Sequence, residues 1–159
     1  MPSEDLHAHS SHGVARASAA TRPVVFLDVD GVLALGGVLI DSCVKKLVRL
    51  VLSSDAHVIL STSWRAIPAM KQHLLEVLVA AGLPQDRVLG QTPFCESGER
   101  TEEILAWLAK NPQQNRRWVV LDDLDLSENR KLSGHFILVD PATGLTDECA
   151  EAALASLTG

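Results

Sequence analysis

Val24-Val25-Phe26-Leu27-Asp28-Val29-Asp30-Gly31 is the stretch on which the reading of this chain turns. Four apolar residues run straight into an acid with no polar alternation. A run that is apolar on both faces suits a strand covered on both sides, as in a parallel sheet. Asp28 and Asp30 then fall at its carboxyl end, and Gly31 lets the chain turn sharply there. Sheets of that kind bind ligands just beyond the carboxyl ends of their strands.

Downstream, His57–Leu60, Trp118–Leu121 and His135–Val139 read as further strands, with a short one at Arg87–Leu89. Helices are expected between them. One runs over about Ser42–Leu52, capped by Asp41, and one over Pro68–Ala81, with Pro68 in its first turn and Gly82 at its end. Others cover about Glu99–Ala109 and, capped by Thr146, the stretch to Leu157. Apolar residues on both sides of Gly36-Gly37 signal a hairpin. Alternating strands and helices predict an α/β fold. Its form is a three-layer α/β/α Rossmann-like sandwich, with a central parallel sheet of about five strands and a small β-hairpin flap.

The chain has 159 residues, which suits a single domain, and 47% hydrophobic content is ordinary for a globular protein. Residues 1–22 hold only Leu6 and Val14 as sizeable apolar side chains and are expected to be a disordered tail, with the domain over 23–159. His7, His9 and His12 read as part of a solvated tail, since no carboxylate or cysteine completes a metal site. Arg16 and Arg22 among Ser and Ala faintly resemble an organelle transit peptide, against which Glu4 and Asp5 argue. Three scattered cysteines do not form a disulfide framework, so a cytoplasmic setting is expected. No apolar stretch reaches the ~20 residues a membrane span requires. A net charge of −6 argues against a generally basic nucleic-acid binder.

Asp28 and Asp30 follow the first strand, Ser61-Thr62-Ser63-Trp64-Arg65 the second, and Asp122-Asp123 the Trp118 strand, while Arg100 starts the helix before it. This fold brings those ends to one edge. Carboxylates gathered there repel, and burying them unpaired is costly. A divalent cation relieves both problems, and hard oxygen donors favour Mg²⁺.

The order of these parts resembles the phosphatase branch of the haloacid dehalogenase-like superfamily. Phe26–Leu33 is similar to its first motif, Leu60–Arg65 to its second, Arg100 to its third-motif cation and Val119–Asp123 to its fourth. Thr62-Ser63-Trp64-Arg65, Asp122-Asp123, His135-Phe136, Asp140-Pro141 and Gly144-Leu145-Thr146 carry a closer likeness. It is to the haloacid dehalogenase-type domains of Swiss-army-knife RNA repair proteins.

The resemblance implies a Mg²⁺-dependent phosphatase working through an aspartyl-phosphate. Asp28 would be the nucleophile. Asp30 would protonate the leaving oxygen and then take a proton from water, its carbonyl also facing the metal. Thr62 would hold a phosphate oxygen, with Ser61 as rival, and Ser63 would lie against the substrate. Arg65 would either bind phosphate or pair with an acid. Arg100 would brace Asp28 and the phosphoryl group, in place of the family's more usual Lys. Asp122 would be the acidic metal ligand, with Asp123 acting through water.

Neither the interval from Asp28 to Thr62 nor that from Thr62 to Arg100 has room for an inserted cap domain. An open site suits a large phosphorylated substrate, a phosphoprotein or a nucleic-acid end, although the net charge disfavours the latter. Arg116, Arg117, Arg130 and Lys131 are expected to form a basic rim near the site. The alternative is a catalytically silent protein that keeps the fold and binds a partner; the retained Asp28 and Asp30 argue against it. A phospho-accepting receiver domain would have its acidic pair early in the chain, whereas here the pair comes late.

Overall fold

The computed structural model describes residues 22–159. The expected tail, its histidines and the transit-like features through Thr21 lie outside the described residues. Arg22, the first described residue, pairs with Asp55 at 3.5 Å.

The chain forms strand β1 (Val24–Leu27), a hairpin of β2 (Ala34–Leu35) and β3 (Val38–Leu39), and helix α1 (Asp41–Ser54). There follow β4 (His57–Leu60), a 3₁₀ turn (Ser63–Ala66), α2 (Pro68–Ala80), β5 (Val88–Gln91) and α3 (Arg100–Lys110). Then come β6 (Trp118–Asp122), a 3₁₀ turn (Arg130–Leu132), β7 (Phe136–Leu138) and α4 (Asp147–Thr158). Five parallel strands make one sheet in the order β5-β4-β1-β6-β7, with β1 at its centre. All four β1 residues are buried, which is why that strand reads as a continuous apolar run.

Alternation along the strands sorts the core into two layers. Val25, Leu27, Val58, Leu60, Val119 and Leu121 face α1, α2 and α4. Val24, Phe26, Ile59 and Val120 face Ile104 and Trp107 of α3, with Leu132 beside them. The Phe26 ring meets Trp107 edge-on at 5.5 Å. Burying side chains of this size contributes about 1.5–3 kcal/mol each. Among the described residues the three-layer sandwich is therefore lopsided, with three helices on one face and one on the other.

In the hairpin, Leu35 opposite Val38 leaves Gly36-Gly37 as a two-residue turn with φ of 58° and 80°. Both positive angles mark the turn type that matches strand twist. Thr146 caps α4, its Oγ1 accepting from the Cys149 N–H at 3.2 Å. Asp41 does not cap α1; Ile40 holds that position and Asp41 opens the first turn, where its charge suits the helix dipole. The Arg87 strand lies slightly later than expected, at Val88–Gln91, because Gln85–Arg87 is taken up by a 3₁₀ turn.

Candidate active site

The strand register builds the site. Leu27 sits level with Leu60 on one side and Leu121 on the other. The next residues, Asp28, Ser61 and Asp122, are therefore level with each other. Alternation turns them to the α3 side. The ladder continues into this level: Asp28 N–H donates to Leu121 O at 3.1 Å and Ser61 N–H to Leu27 O at 2.8 Å. Arg100, the first residue of α3, comes down onto the same spot.

Asp28, Asp122 and Asp123 each bring a carboxylate oxygen within 4.8 Å of the others. Arg100 Nη1 lies 3.2 Å from Asp28 Oδ1 and 2.8 Å from Asp122 Oδ2. The other Asp122 oxygen accepts from the Leu124 N–H at 2.9 Å. Gly31 makes room for Asp123: its φ is +82°, and a Cβ there would stand 2.4 Å from Asp123 Oδ2.

One half-buried guanidinium does not balance three acids. Burial first, and the neighbouring Asp122 next, push Asp28 up to about 8, against the opposing pull of Arg100. Burial also raises Asp122, again against Arg100. Burial disfavours the charged form of Arg100, but Asp122 and Asp28 outweigh it and raise the guanidinium further. A pocket of oxygen donors whose acids resist ionisation is short of positive charge. That is the chemistry of a hard divalent-cation site, so these residues fit such an ion.

The remaining expected residues divide. Asp30 is exposed, and its carboxylate stands apart from the three-acid cluster; Oδ2 accepts from Trp64 Nε1 at 3.0 Å. Thr62 is fully buried and caps the Ser63–Ala66 turn, its Oγ1 accepting from the Trp64 N–H at 3.2 Å. Ser61 is equally buried, and its Oγ has no hydrogen-bond partner among the described residues. Ser63 is exposed at the head of the turn.

Arg65 departs from the substrate-binding expectation, because its guanidinium is already engaged. It donates to the Thr92, Thr62 and Pro93 carbonyls at 3.1, 2.8 and 3.2 Å and pairs with buried Glu103 at 2.9 Å. Phe94 covers it, the ring centroid 4.1 Å away. The acid-pairing alternative describes it, with the acid buried rather than at the surface. Glu103 also accepts from the Cys95 N–H at 3.2 Å, so the pair ties the first turn of α3 to the loop after β5. Sequence reasoning passed over Glu103, since an acid in the first turn of a helix is unremarkable.

Two residues of the expected basic rim, Arg116 and Arg117, are a second correction. Arg116 and Arg117 precede β6, and Arg117 O accepts from Val24 N–H at the start of β1. They stand at the amino end of the parallel sheet, at the opposite end of β6 from Asp122. Arg130 and Lys131 lie in the crossover from β6 to β7. No described helix is long and apolar enough to cross a membrane.

The comparison with curated proteins and that with solved structures each found no match. The family model described as the HAD domain in Swiss Army Knife RNA repair proteins matches residues 24–150. That stretch contains every side chain of the site, and its family is one of phosphohydrolase type, generally using Mg²⁺. With the first, second and fourth motifs at the ends of β1, β4 and β6, the chain belongs to the haloacid dehalogenase-like superfamily, in the family of these Swiss Army Knife domains.

Proposed function

We propose that the protein is a Mg²⁺-dependent phosphomonoesterase that works through an aspartyl-phosphate. The observation that carries this reading is the meeting of Asp28, Asp122 and Asp123 under Arg100 at the carboxyl edge of the sheet. Mg²⁺ held by those three carboxylates and the Asp30 carbonyl would keep Asp28 ionised at neutral pH and draw the phosphoryl oxygens to it.

Asp28 attacks phosphorus, so that an Asp28 Oδ–P bond forms as the ester P–O bond breaks. Asp30 gives its proton to the departing oxygen. Water then adds to phosphorus and passes a proton back to Asp30; the Oδ–P bond breaks and phosphate leaves. Arg100, lying between Asp28 and Asp122, is suited to bond an equatorial phosphoryl oxygen, where its charge is worth most. Thr62 or Ser61 supplies the hydroxyl for another.

A large phosphorylated substrate suits this site. The stretches between β1 and β4 and between β4 and α3 hold only the hairpin, short turns, α1, α2 and β5. No inserted domain would then stand over the acids. The family's description points to a phosphorylated RNA end, whereas the net charge and the remote Arg116-Arg117 pair favour a phosphoprotein. Phosphate release from a phosphopeptide, a 3′- or 5′-phosphorylated RNA and a sugar phosphate, with Mg²⁺ or with chelator, tests this. The expected result is metal-dependent release from one of the polymers above that from the sugar. Preference for the sugar phosphate would contradict the open-site reading.

A further inference from the structure

Asp30 is exposed, yet its carboxylate is gripped by a rigid group. Trp64 is 3% exposed and donates its indole N–H to Asp30 Oδ2 at 3.0 Å. The indole itself is fixed from both ends of its residue. Its backbone N–H is bound by Thr62 Oγ1, and its carbonyl accepts from the Ile67 N–H at 3.1 Å. Its neighbour Arg65 is clamped in turn by three carbonyls and Glu103. On the other side, the Gly31 N–H donates to Ala34 O at 2.8 Å and holds the turn that carries Asp30.

We propose that Trp64 is the positioning residue of the acid–base carboxylate: it pins Asp30 Oδ2 and leaves Oδ1 to exchange the proton. This rests on the role given to Asp30 above. An indole N–H only donates. Its partner oxygen must therefore offer a lone pair, which steers the proton of the neutral acid to Oδ1. The same bond keeps an exposed side chain from turning into solvent between the two chemical steps. A phenylalanine would fill the same space in the core, so a packing role alone does not call for the N–H.

Trp64→Phe removes the donor and keeps most of the bulk. With Mg²⁺ present, kcat/KM for an alkyl phosphate, whose leaving oxygen needs a proton, should fall about 10–100-fold, a part of what acid–base catalysis supplies. For 4-nitrophenyl phosphate, whose leaving oxygen needs no proton, kcat/KM should fall less. In an Asp30→Asn background the same change should add almost nothing on the aryl substrate.

A second readout needs no turnover. The chain has three tryptophans, so three indole N–H resonances are expected, and Asp30→Ala should move one of them, that of Trp64. Trp64→Phe identifies that resonance; should this variant not fold, Trp107→Phe and Trp118→Phe identify it by elimination. Equal losses of kcat/KM on both substrates, an undiminished loss in the Asp30→Asn background, or an unmoved Trp64 resonance overturns the proposal while leaving the phosphatase reading intact. Absence of turnover by the unaltered protein with every phosphate ester overturns both.

Discussion

The β4 side of the site and the β1–β6 side each hold one arginine, and the two are used in opposite ways. Arg65, on the β4 side, meets three carbonyls and one carboxylate, and Glu103 takes a backbone N–H besides. Charge there is balanced and hydrogen bonds are filled, as befits a joint in the frame. Arg100, on the other side, pairs with Asp28 and Asp122 and is outnumbered by the acids gathered there. The contrast separates the part of the site that holds its shape from the part left ready for a ligand. Acids buried without enough positive charge resist ionisation, as Asp28 and Asp122 do, and an arriving cation would restore their charge.

Exchanging the fates of the two arginines is the strongest way to break this contrast. Arg65→Ala strips buried Glu103 of its cation and the Thr92 and Pro93 carbonyls of their side-chain donor, and should lower stability by about 3–5 kcal/mol in denaturant unfolding. Arg100→Ala leaves Asp28 and Asp122, whose ionisation burial already opposes, so its loss of stability should be much smaller. Its cost should appear in catalysis, as a roughly 10²–10³-fold fall in kcat. Equal loss of stability in the two variants would erase the distinction.

A smaller effect sharpens it through pH. The folded state raises Asp28 from an ordinary carboxylate value to about 8. Its contribution to stability is therefore present in full below the unfolded value near 4 and is lost as pH climbs toward 8. Metal-free protein should lose stability over that window. Asp28→Asn should flatten the curve and gain on the order of 1–3 kcal/mol at pH 7. A flat profile for the unaltered protein would mean that the acids are balanced without a cation.

The smallest effect separates the two hydroxyls. Thr62→Ala removes the cap of the Ser63–Ala66 turn and should cost about 1 kcal/mol. Ser61→Ala removes a buried oxygen that has no partner and should be neutral or slightly stabilising. If the unpartnered Ser61 hydroxyl awaits a phosphate oxygen, Ser61→Ala will raise KM more than Thr62→Ala does.

Much of this was legible from local pattern. The apolar runs of β1, β4 and β6 deliver Asp28, Ser61-Thr62 and Asp122 to one edge, and strand register does the rest. Thr146 and Gly36-Gly37 are caps and turns that act within a few residues, so the sequence displays them directly. Arg65 was ambiguous because its partner Glu103 lies a helix and a strand away, and nothing in the spacing joins them. The Trp64 indole bond to Asp30 is hidden for the same reason. Arg116 and Arg117 fall outside the expected basic rim because they precede their strand, and in a parallel sheet that sends them to the far end.

The central claim is that Asp28 is a nucleophile in a cation-dependent site. Hydrolysis of an aryl phosphate by the unaltered protein and by Asp28→Asn, each with and without Mg²⁺, tests it most directly. The account predicts activity that requires Mg²⁺ and disappears in the variant. Equal hydrolysis by both proteins would contradict it.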